Sequence, residues 1–221
     1  MTDLVLGIDT STRVAIGLAD GERVLVSRLT GDTRSHAELL TPTIQAVLDE
    51  AGVRFDQVAR IGVGVGPGPF TGLRVGIATA RVLGEALGVP VTGVCGLDVI
   101  AGYALHQSSP FLVVADARRH EVYWGRYDAS GLRVAGPSVG APSSLPELPA
   151  FGPGVAVYPE LARGGEPVDI DAGWLAANLD MLPDVGLEPL YLRQPDADVA
   201  STRKSTLVSG RLRLPGRQDL R

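Results

Sequence analysis

Leu4-Val5-Leu6-Gly7-Ile8-Asp9-Thr10-Ser11-Thr12 is the stretch on which the fold turns. Its unbroken apolar run reads as a short strand buried on both faces. The run ends on an acid followed by three hydroxyl residues. One reading is a carboxylate holding metal or water beside a phosphate, with Thr10 and Ser11 facing the anion. The other is an Asx or Ser/Thr turn that opens a hairpin. Spacing alone favours the turn.

Working outward, Val14 to Ala19 reads as a second strand and Val24 to Leu29 as its antiparallel partner, because Asp20-Gly21 between them tolerates positive φ. Ser35-His36-Ala37-Glu38 matches a capping box, with Ser35 as N-cap. Leu40, Ile44, Val47, Leu48 and Ala51 then recur at helical spacing up to Gly52. Pro42 implies either a kink or a restart with Thr41 as N-cap. Ala59 to Val65 is a further buried strand. Gly72 to Leu87 is a helix stopped by Gly88 and Pro90, and Val91 to Cys95 is a fifth strand. After Gly96 the pattern repeats less completely. Leu97 to Leu105 reads as helix, and Phe111 to Ala115 as a strand ending in Asp116. Glu121 to Tyr127 and Leu132 to Val139 read as a hairpin, Val155 to Tyr158 as a short strand, and Ala172 to Leu182 as a helix. The two halves look like a degraded duplication: an apolar strand ending in Asp, then antiparallel strands.

The composition is that of a globular protein. Of 221 residues, 45% are apolar and 20% charged, and 20 Lys+Arg against 25 Asp+Glu give a net charge of −5. Without a basic excess, the chain as a whole is a poor independent binder of nucleic-acid phosphates. One cysteine, Cys95, excludes an internal disulfide framework and fits a reducing, cytoplasmic compartment. Met1-Thr2-Asp3 shows no basic region ahead of an apolar stretch, so no secretory signal is expected. The uncharged stretch Val99 to Ala115 is interrupted by His106-Gln107-Ser108-Ser109-Pro110 and is too broken to span a membrane. The last stretch, Asp196 to Arg221, carries Arg203, Lys204, Arg211, Arg213, Arg217 and Arg221 and lacks apolar periodicity. It reads as a solvated basic tail.

Gly64-Val65-Gly66-Pro67-Gly68-Pro69-Phe70-Thr71-Gly72-Leu73-Arg74 is rich in glycine but is neither G-x-G-x-x-G nor a Walker loop. Pro67 and Pro69 remove backbone donors that a phosphate would need. It reads as a stiff turn feeding a helix capped by Thr71. On that helix Gly72, Gly76, Ala80, Gly84 and Gly88 fall at four-residue intervals and form a bare stripe. Interior glycines cost about 1 kcal/mol each relative to alanine, so the stripe implies close approach of another backbone. The remaining surface is mostly apolar, and a second chain is the expected neighbour. Asp116-Ala117-Arg118-Arg119-His120-Glu121 places a second acid at a strand end. Two arginines stand where a phosphate loop needs glycine, and they either bind an anion or pair with surface acids. His36, His106 and His120 share no metal-ligand spacing, so no metal site is expected. Cys95 reads as a core residue, and no Gly-x-Ser-x-Gly elbow occurs.

Four segments together resemble the bacterial TsaB (YeaZ) family: Leu6 to Thr12, His36 to Pro42, Gly66 to Gly76, and Asp116 to Tyr123. The resemblance covers about the first 130 residues and returns weakly at Pro189-Leu190-Tyr191-Leu192-Arg193. Pro69 departs from the serine usual in the family. The resemblance implies a two-lobed α/β fold of the actin/sugar-kinase/heat-shock ATPase (RNase H-like) superfamily, with mixed sheets and a reduced second lobe. The expected division is a partner-binding N-terminal lobe over 1–96, a C-terminal lobe over 97–195 and the tail over 196–221. It also implies a non-catalytic scaffold in the formation of N6-threonylcarbamoyladenosine at position 37 of tRNAs reading codons that begin with A, with no cofactor of its own. The partners implied are TsaD, a metal-bearing transferase, and TsaE, an ATPase; tRNA is reached only through the complex, and the chain alone forms a homodimer. TsaD-like proteins carry a histidine pair on the first helix, where this chain has only His36.

The partner or homodimer surface expected on this basis comprises Leu40, Ile44, Val47, Gly72, Leu73, Gly76, Ala80 and Gly84. A vestigial or partner-dependent nucleotide site is expected at Asp9, Thr10, Ser11, Asp116 and Arg118. The rival reading is a small-molecule kinase or ATPase of the same superfamily using Asp9 as metal ligand. A glycoprotein peptidase, the third reading, lacks both a metal pair and a nucleophile–base set.

Overall fold

The computed structural model describes residues 3–31, 36–103 and 107–193. The N-cap expected at Ser35, together with His106 and the basic stretch 196–221, lies outside the described residues. Strands β1 (Leu4–Asp9), β2 (Ala15–Asp20) and β3 (Arg23–Leu29) form an antiparallel set, joined in parallel by β4 (Arg60–Gly64) and β5 (Val91–Val94) in the order β3-β2-β1-β4-β5. Helices α1 (His36–Ala51) and α2 (Phe70–Leu87) cover one face of this sheet. Helix α3 (Gly96–Tyr103) leads into a second sheet of β6 (Phe111–Asp116), β7 (Val122–Tyr127), β8 (Arg133–Gly140) and β9 (Ala150–Phe151), in the order β8-β7-β6-β9. Both sheets thus begin with an antiparallel triplet whose first strand ends in aspartate, Asp9 or Asp116. This is the two-lobed α/β arrangement with mixed sheets.

Period-two alternation explains the first lobe. Leu4, Leu6 and Ile8 of β1, Ile16 and Leu18 of β2, and Ile61 and Val63 of β4 all join the core beneath α1 and α2. The opposite face is nearly smooth. Gly7 pairs with Gly17 on one side and Gly62 on the other, so three glycines form a row across three adjacent strands. Into this row sinks α5 (Ala172–Ala177), which follows the short helix α4 (Gly154–Val157). A Cβ on Gly17 would lie 2.1 Å from the Gly173 nitrogen, and one on Gly7 would lie 2.2 Å from the Ala172 oxygen. Asp171 caps α5 by accepting from the Gly173 and Trp174 N–H groups.

Five expectations are corrected. The stretch 97–195 is not one lobe. After the second sheet the chain returns to the first, where α5 seats on the glycine row, the Val185 N–H donates to the Gly93 oxygen, and the Leu190 N–H donates to the Val65 oxygen. Val155 to Tyr158 is helical rather than a strand: Gly152 turns at φ 110°, Pro153 takes helical backbone angles, and Gly154 lies against the Val114 backbone. The helix expected from Ala172 to Leu182 is interrupted at Asn178 and continues only as a 3-10 turn. Finally, α1 runs unbroken through Pro42, and α2 starts at Phe70 with Pro69 as an N-cap lacking a side-chain bond, so Thr71 is not the cap.

The lobes share a core. One apolar cluster joins Val5, Ala15 and Ala19 of the first sheet to Phe111, Val113 and Tyr127 of the second, through Leu97, Ile100 and Leu175. Within it the Tyr127 hydroxyl donates to Asp98 at 2.7 Å, and Arg133 reaches the same carboxylate at 2.8 Å. This supplies the partners that a buried charge requires.

Candidate functional site

Asp9 stands at the end of β1 with no solvent exposure. Its Oδ1 accepts from the Ser11 N–H at 2.8 Å and the Ser11 hydroxyl at 2.6 Å, and its Oδ2 has no hydrogen-bond partner among the described residues. Gly64 leaves the space that Oδ2 occupies, since a Cβ there would lie 1.8 Å away. The loop bearing Gly68 closes over Ser11, with a Gly68 Cβ position 2.8 Å from the Ser11 oxygen. Burial pushes the Asp9 carboxyl up to about 6, against the opposing pull of the Ser11 hydrogen bonds and the charge of His36. The Asx turn is therefore the local structure, and the carboxylate is sealed from any metal or phosphate in the cleft.

The shift has a measurable consequence. Because the folded value lies above the ordinary 3.8, the stabilising difference is complete below about pH 3.8 and lost as pH rises through about 6. At neutral pH the buried carboxylate costs about 3 kcal/mol relative to acid. Asp9→Asn keeps an acceptor for Ser11 and removes the charge. It is expected to raise the thermal midpoint at pH 8, with the gain shrinking toward pH 4; a constant offset across that range, read by calorimetry, would exclude the ionisation as its cause.

Thr10 explains the glycine stripe. Its hydroxyl donates to the Gly72 oxygen at 2.8 Å, and a Cβ on Gly76 would lie 2.3 Å from the same hydroxyl oxygen. Farther along α2, a Cβ on Gly84 would lie 2.2 Å from Val91 Cγ2. The neighbour that the stripe admits is the chain's own first loop and fifth strand. All eight residues expected at a partner surface, Leu40, Ile44, Val47, Gly72, Leu73, Gly76, Ala80 and Gly84, are buried inside this single chain. The outward faces carry Thr41, Gln45, Ala78 and Val82, and Val82 is 64% exposed.

Between the lobes lies a cleft of about 720 Å³, lined by Ser11, Arg13, His36, Thr71, Asp116 and Arg118 among others. Arg13 bridges to Asp169, and His36 Nε2 lies 3.2 Å from the Thr12 oxygen. Asp116 and Arg118 therefore do face the loop that holds Asp9, but only Ser11 of the Asp9–Ser11 stretch reaches the cleft. In the turn between β6 and β7, Arg118, Arg119 and His120 have φ of 62°, 53° and 60°. Left-handed backbone costs about 1–2 kcal/mol per residue bearing a Cβ. Asp116 Oδ1 accepts from the Arg118 N–H at 2.9 Å, and the Ala117 N–H donates to the Glu121 oxygen at 3.0 Å. Arg193 braces the turn through the Ala117 oxygen at 2.6 Å and Glu121 at 2.5 Å.

Sequence reading missed the contacts that residues 187–193 make with α2. Tyr191 stacks on Phe70 at 4.7 Å, Arg74 lies 3.6 Å over the Phe70 ring and donates to the Tyr191 hydroxyl, and Arg81 bonds the Leu187 oxygen. The available signal was the Pro189-Leu190-Tyr191-Leu192-Arg193 cluster itself. Cys95 is buried, and burial pushes its thiol up to about 12, so it is inert at neutral pH.

The residues present do not fit the metal that the resemblance attributes to TsaD-like transferases. His36 stands alone on α1, and among the described residues no three His, Cys, Asp or Glu side chains gather as ligands. Among the same residues, no helix is long and apolar enough to cross a membrane.

Comparison with known proteins places this geometry among relatives. The family model described as "TsaD: tRNA N6-adenosine threonylcarbamoyltransferase" matches residues 30–206. An uncharacterized protein of Mycobacterium leprae is 43% identical over 225 residues; the match covers 95% of this chain and 60% of that protein, so the chain spans under two thirds of its length. The tRNA threonylcarbamoyladenosine biosynthesis protein TsaB of Bacillus subtilis is 30% identical over 124 residues, covering 56% of this chain and 54% of its own length. Among solved structures, YeaZ from Pseudomonas aeruginosa superposes with a TM-score of 0.66 at 29% identity, over 86% of this chain and 100% of that one.

Proposed function

Because the chain belongs to the TsaD family, matched over residues 30–206, we propose that it is a non-catalytic subunit of the assembly that makes N6-threonylcarbamoyladenosine on tRNA. Its similarity to TsaB of Bacillus subtilis, a threonylcarbamoyladenosine biosynthesis protein by name, supports this choice. In this role it holds a TsaD-like transferase in working arrangement, a TsaE-like ATPase joins the pair, and the isolated chain forms homodimers. The carrying observation is the sealed Asp9: the acid that a kinase would offer to metal and phosphate is fully buried, tied to Ser11 on one oxygen and closed in beside Gly64 on the other.

The surface assigned to the partner is the outward face of α1 and α2, centred on Ala78 and Val82, in place of the buried stripe. Val82→Glu puts a charge on a 64% exposed position. It is expected to weaken association with a TsaD-like transferase by about tenfold or more, while stability changes by under about 0.5 kcal/mol. Pull-down and size exclusion measure the first, urea unfolding the second. A reconstituted tRNA modification assay lacking this chain is expected to lose activity. Undiminished association of Val82→Glu would remove the assigned surface, whereas full activity without the chain, or tight Mg-ATP binding to the isolated chain by calorimetry, would remove the subunit role.

A further inference from the structure

Residues 187–193 cross from the first lobe to the second, and the crossing is tied at both ends. On the first lobe, the Leu190 N–H donates to the Val65 oxygen at 2.9 Å, and Arg81 donates to the Leu187 oxygen at 3.0 Å. On the second, Arg193 donates to the Ala117 oxygen at 2.6 Å and pairs with Glu121 at 2.5 Å. The apolar side chains between follow the same order. Leu187 packs on the first-lobe core, Leu190 on that core and on the core shared by the lobes, and Leu192 on the shared core. We propose that residues 187–193 are a strap that couples the outward face of α2 to the width of the cleft between the lobes.

The α2 end of the strap is an aromatic joint at the surface. Tyr191 stacks on Phe70 with 4.7 Å between ring centres, and Arg74 lies 3.6 Å over the Phe70 ring and donates to the Tyr191 hydroxyl at 2.9 Å. Tyr191 is still 38% exposed. Arg74, Ala78 and Arg81 follow one another at helical spacing and share one stripe of α2. A partner covering Ala78 therefore also covers the joint. It gains the Tyr191 contact only while that ring is docked, and this difference in affinity between the strapped and released states shifts the equilibrium. At the other end, Arg193 holds the turn between β6 and β7, whose Asp116 and Arg118 line the cleft. A cavity of about 170 Å³ lies between Pro69 and Phe70, that turn and the strap. Packing at the seam is loose there, so a shift of the strap moves the turn without compressing a close-packed core. The docking end of the coupling rests on the subunit reading; the tie between the lobes does not.

Nitroxide labels at Asp49→Cys on α1 and Glu160→Cys in the second lobe, both at exposed positions, read the cleft width of the full chain by double electron–electron resonance. Cys95 is buried and stays unlabelled. Tyr191→Ala undoes the α2 end of the strap, and Arg193→Ala undoes the other. Each is expected to broaden the distance distribution, whereas Tyr191→Phe keeps the ring stack and is expected to keep the wild-type width. An unchanged distribution in Tyr191→Ala would overturn the proposal, whatever Arg193→Ala does. Association with a TsaD-like transferase is then measured by titration calorimetry. Arg193 makes its bonds to the second lobe rather than to α2, so Arg193→Ala is expected to weaken association about fivefold through the coupling alone. Affinity equal to wild type would also overturn the proposal. A wild-type chain that fails to bind the transferase would remove the subunit role, and the distances in Tyr191→Ala would still decide the strap.

Discussion

Gly17→Ala is expected to destabilise the protein by about 3 kcal/mol or more, which lowers the melting temperature by roughly 6–12 °C for a chain of this size. The added methyl would sit 2.1 Å from the Gly173 nitrogen and 2.3 Å from the Ala172 carbonyl carbon. Both are backbone atoms, so no rotamer change relieves the overlap, and α5 must lift from the sheet. That movement opens the core shared by the two lobes, since Leu175 and Ala176 belong to it. Gly31→Ala is the control, because no atom of the described residues lies within 4 Å of its Cβ position. It is expected to be neutral or slightly stabilising. Calorimetry that found Gly17→Ala melting within a degree or so of wild type would show that α5 does not rest on the glycine row.

Gly76→Ala separates two accounts of the stripe. A helix-interior glycine gains about 1 kcal/mol on becoming alanine when nothing obstructs it. Here the methyl would meet Thr10 Oγ1 at 2.3 Å, and that oxygen is committed to the Gly72 carbonyl in a fully buried site. Shifting it breaks a buried hydrogen bond, so the net outcome is expected to be a loss of about 1–3 kcal/mol. Thr10→Ala removes the obstruction, and the double variant is expected to lose less than the sum of the singles, a coupling of about 1 kcal/mol or more. Urea unfolding of the four proteins measures this directly. An unchanged midpoint for Gly76→Ala, coupled with lost association with a partner, would return the stripe to an intermolecular role.

The particular elements show where sequence reasoning reached and where it stopped. The Asp9 and Asp116 strand ends, the hairpin at Asp20-Gly21 and the stop at Gly88 were legible because each follows from local chemistry. Val155 to Tyr158 is too short to carry a periodicity, and Gly152 and Pro153 set its backbone. The stripe is a surface of close approach, and within this chain the groups that approach it are Thr10 and Val91. Thr10 lies 62 residues from Gly72, and nothing in either segment announces the other. The glycine row is visible in the sequence only as glycines inside three apolar strands. Its meaning needed the register that sets Gly7 beside both Gly17 and Gly62.

The amino-acid order alone determined the family, the two strand-Asp units and the helices over the first sheet, because motifs and periodicity are properties of neighbouring residues. Only the folded chain decided that Asp9 is sealed, that the bare ridge of α2 is filled from within, and that the segment after the second sheet returns to complete the first. Those outcomes depend on contacts between segments separated along the chain, Asp9 with Gly64, Thr10 with Gly72 and Gly17 with Gly173. Such contacts are set by steric fit in three dimensions, which leaves its trace in the sequence only as glycines whose partners the sequence does not name.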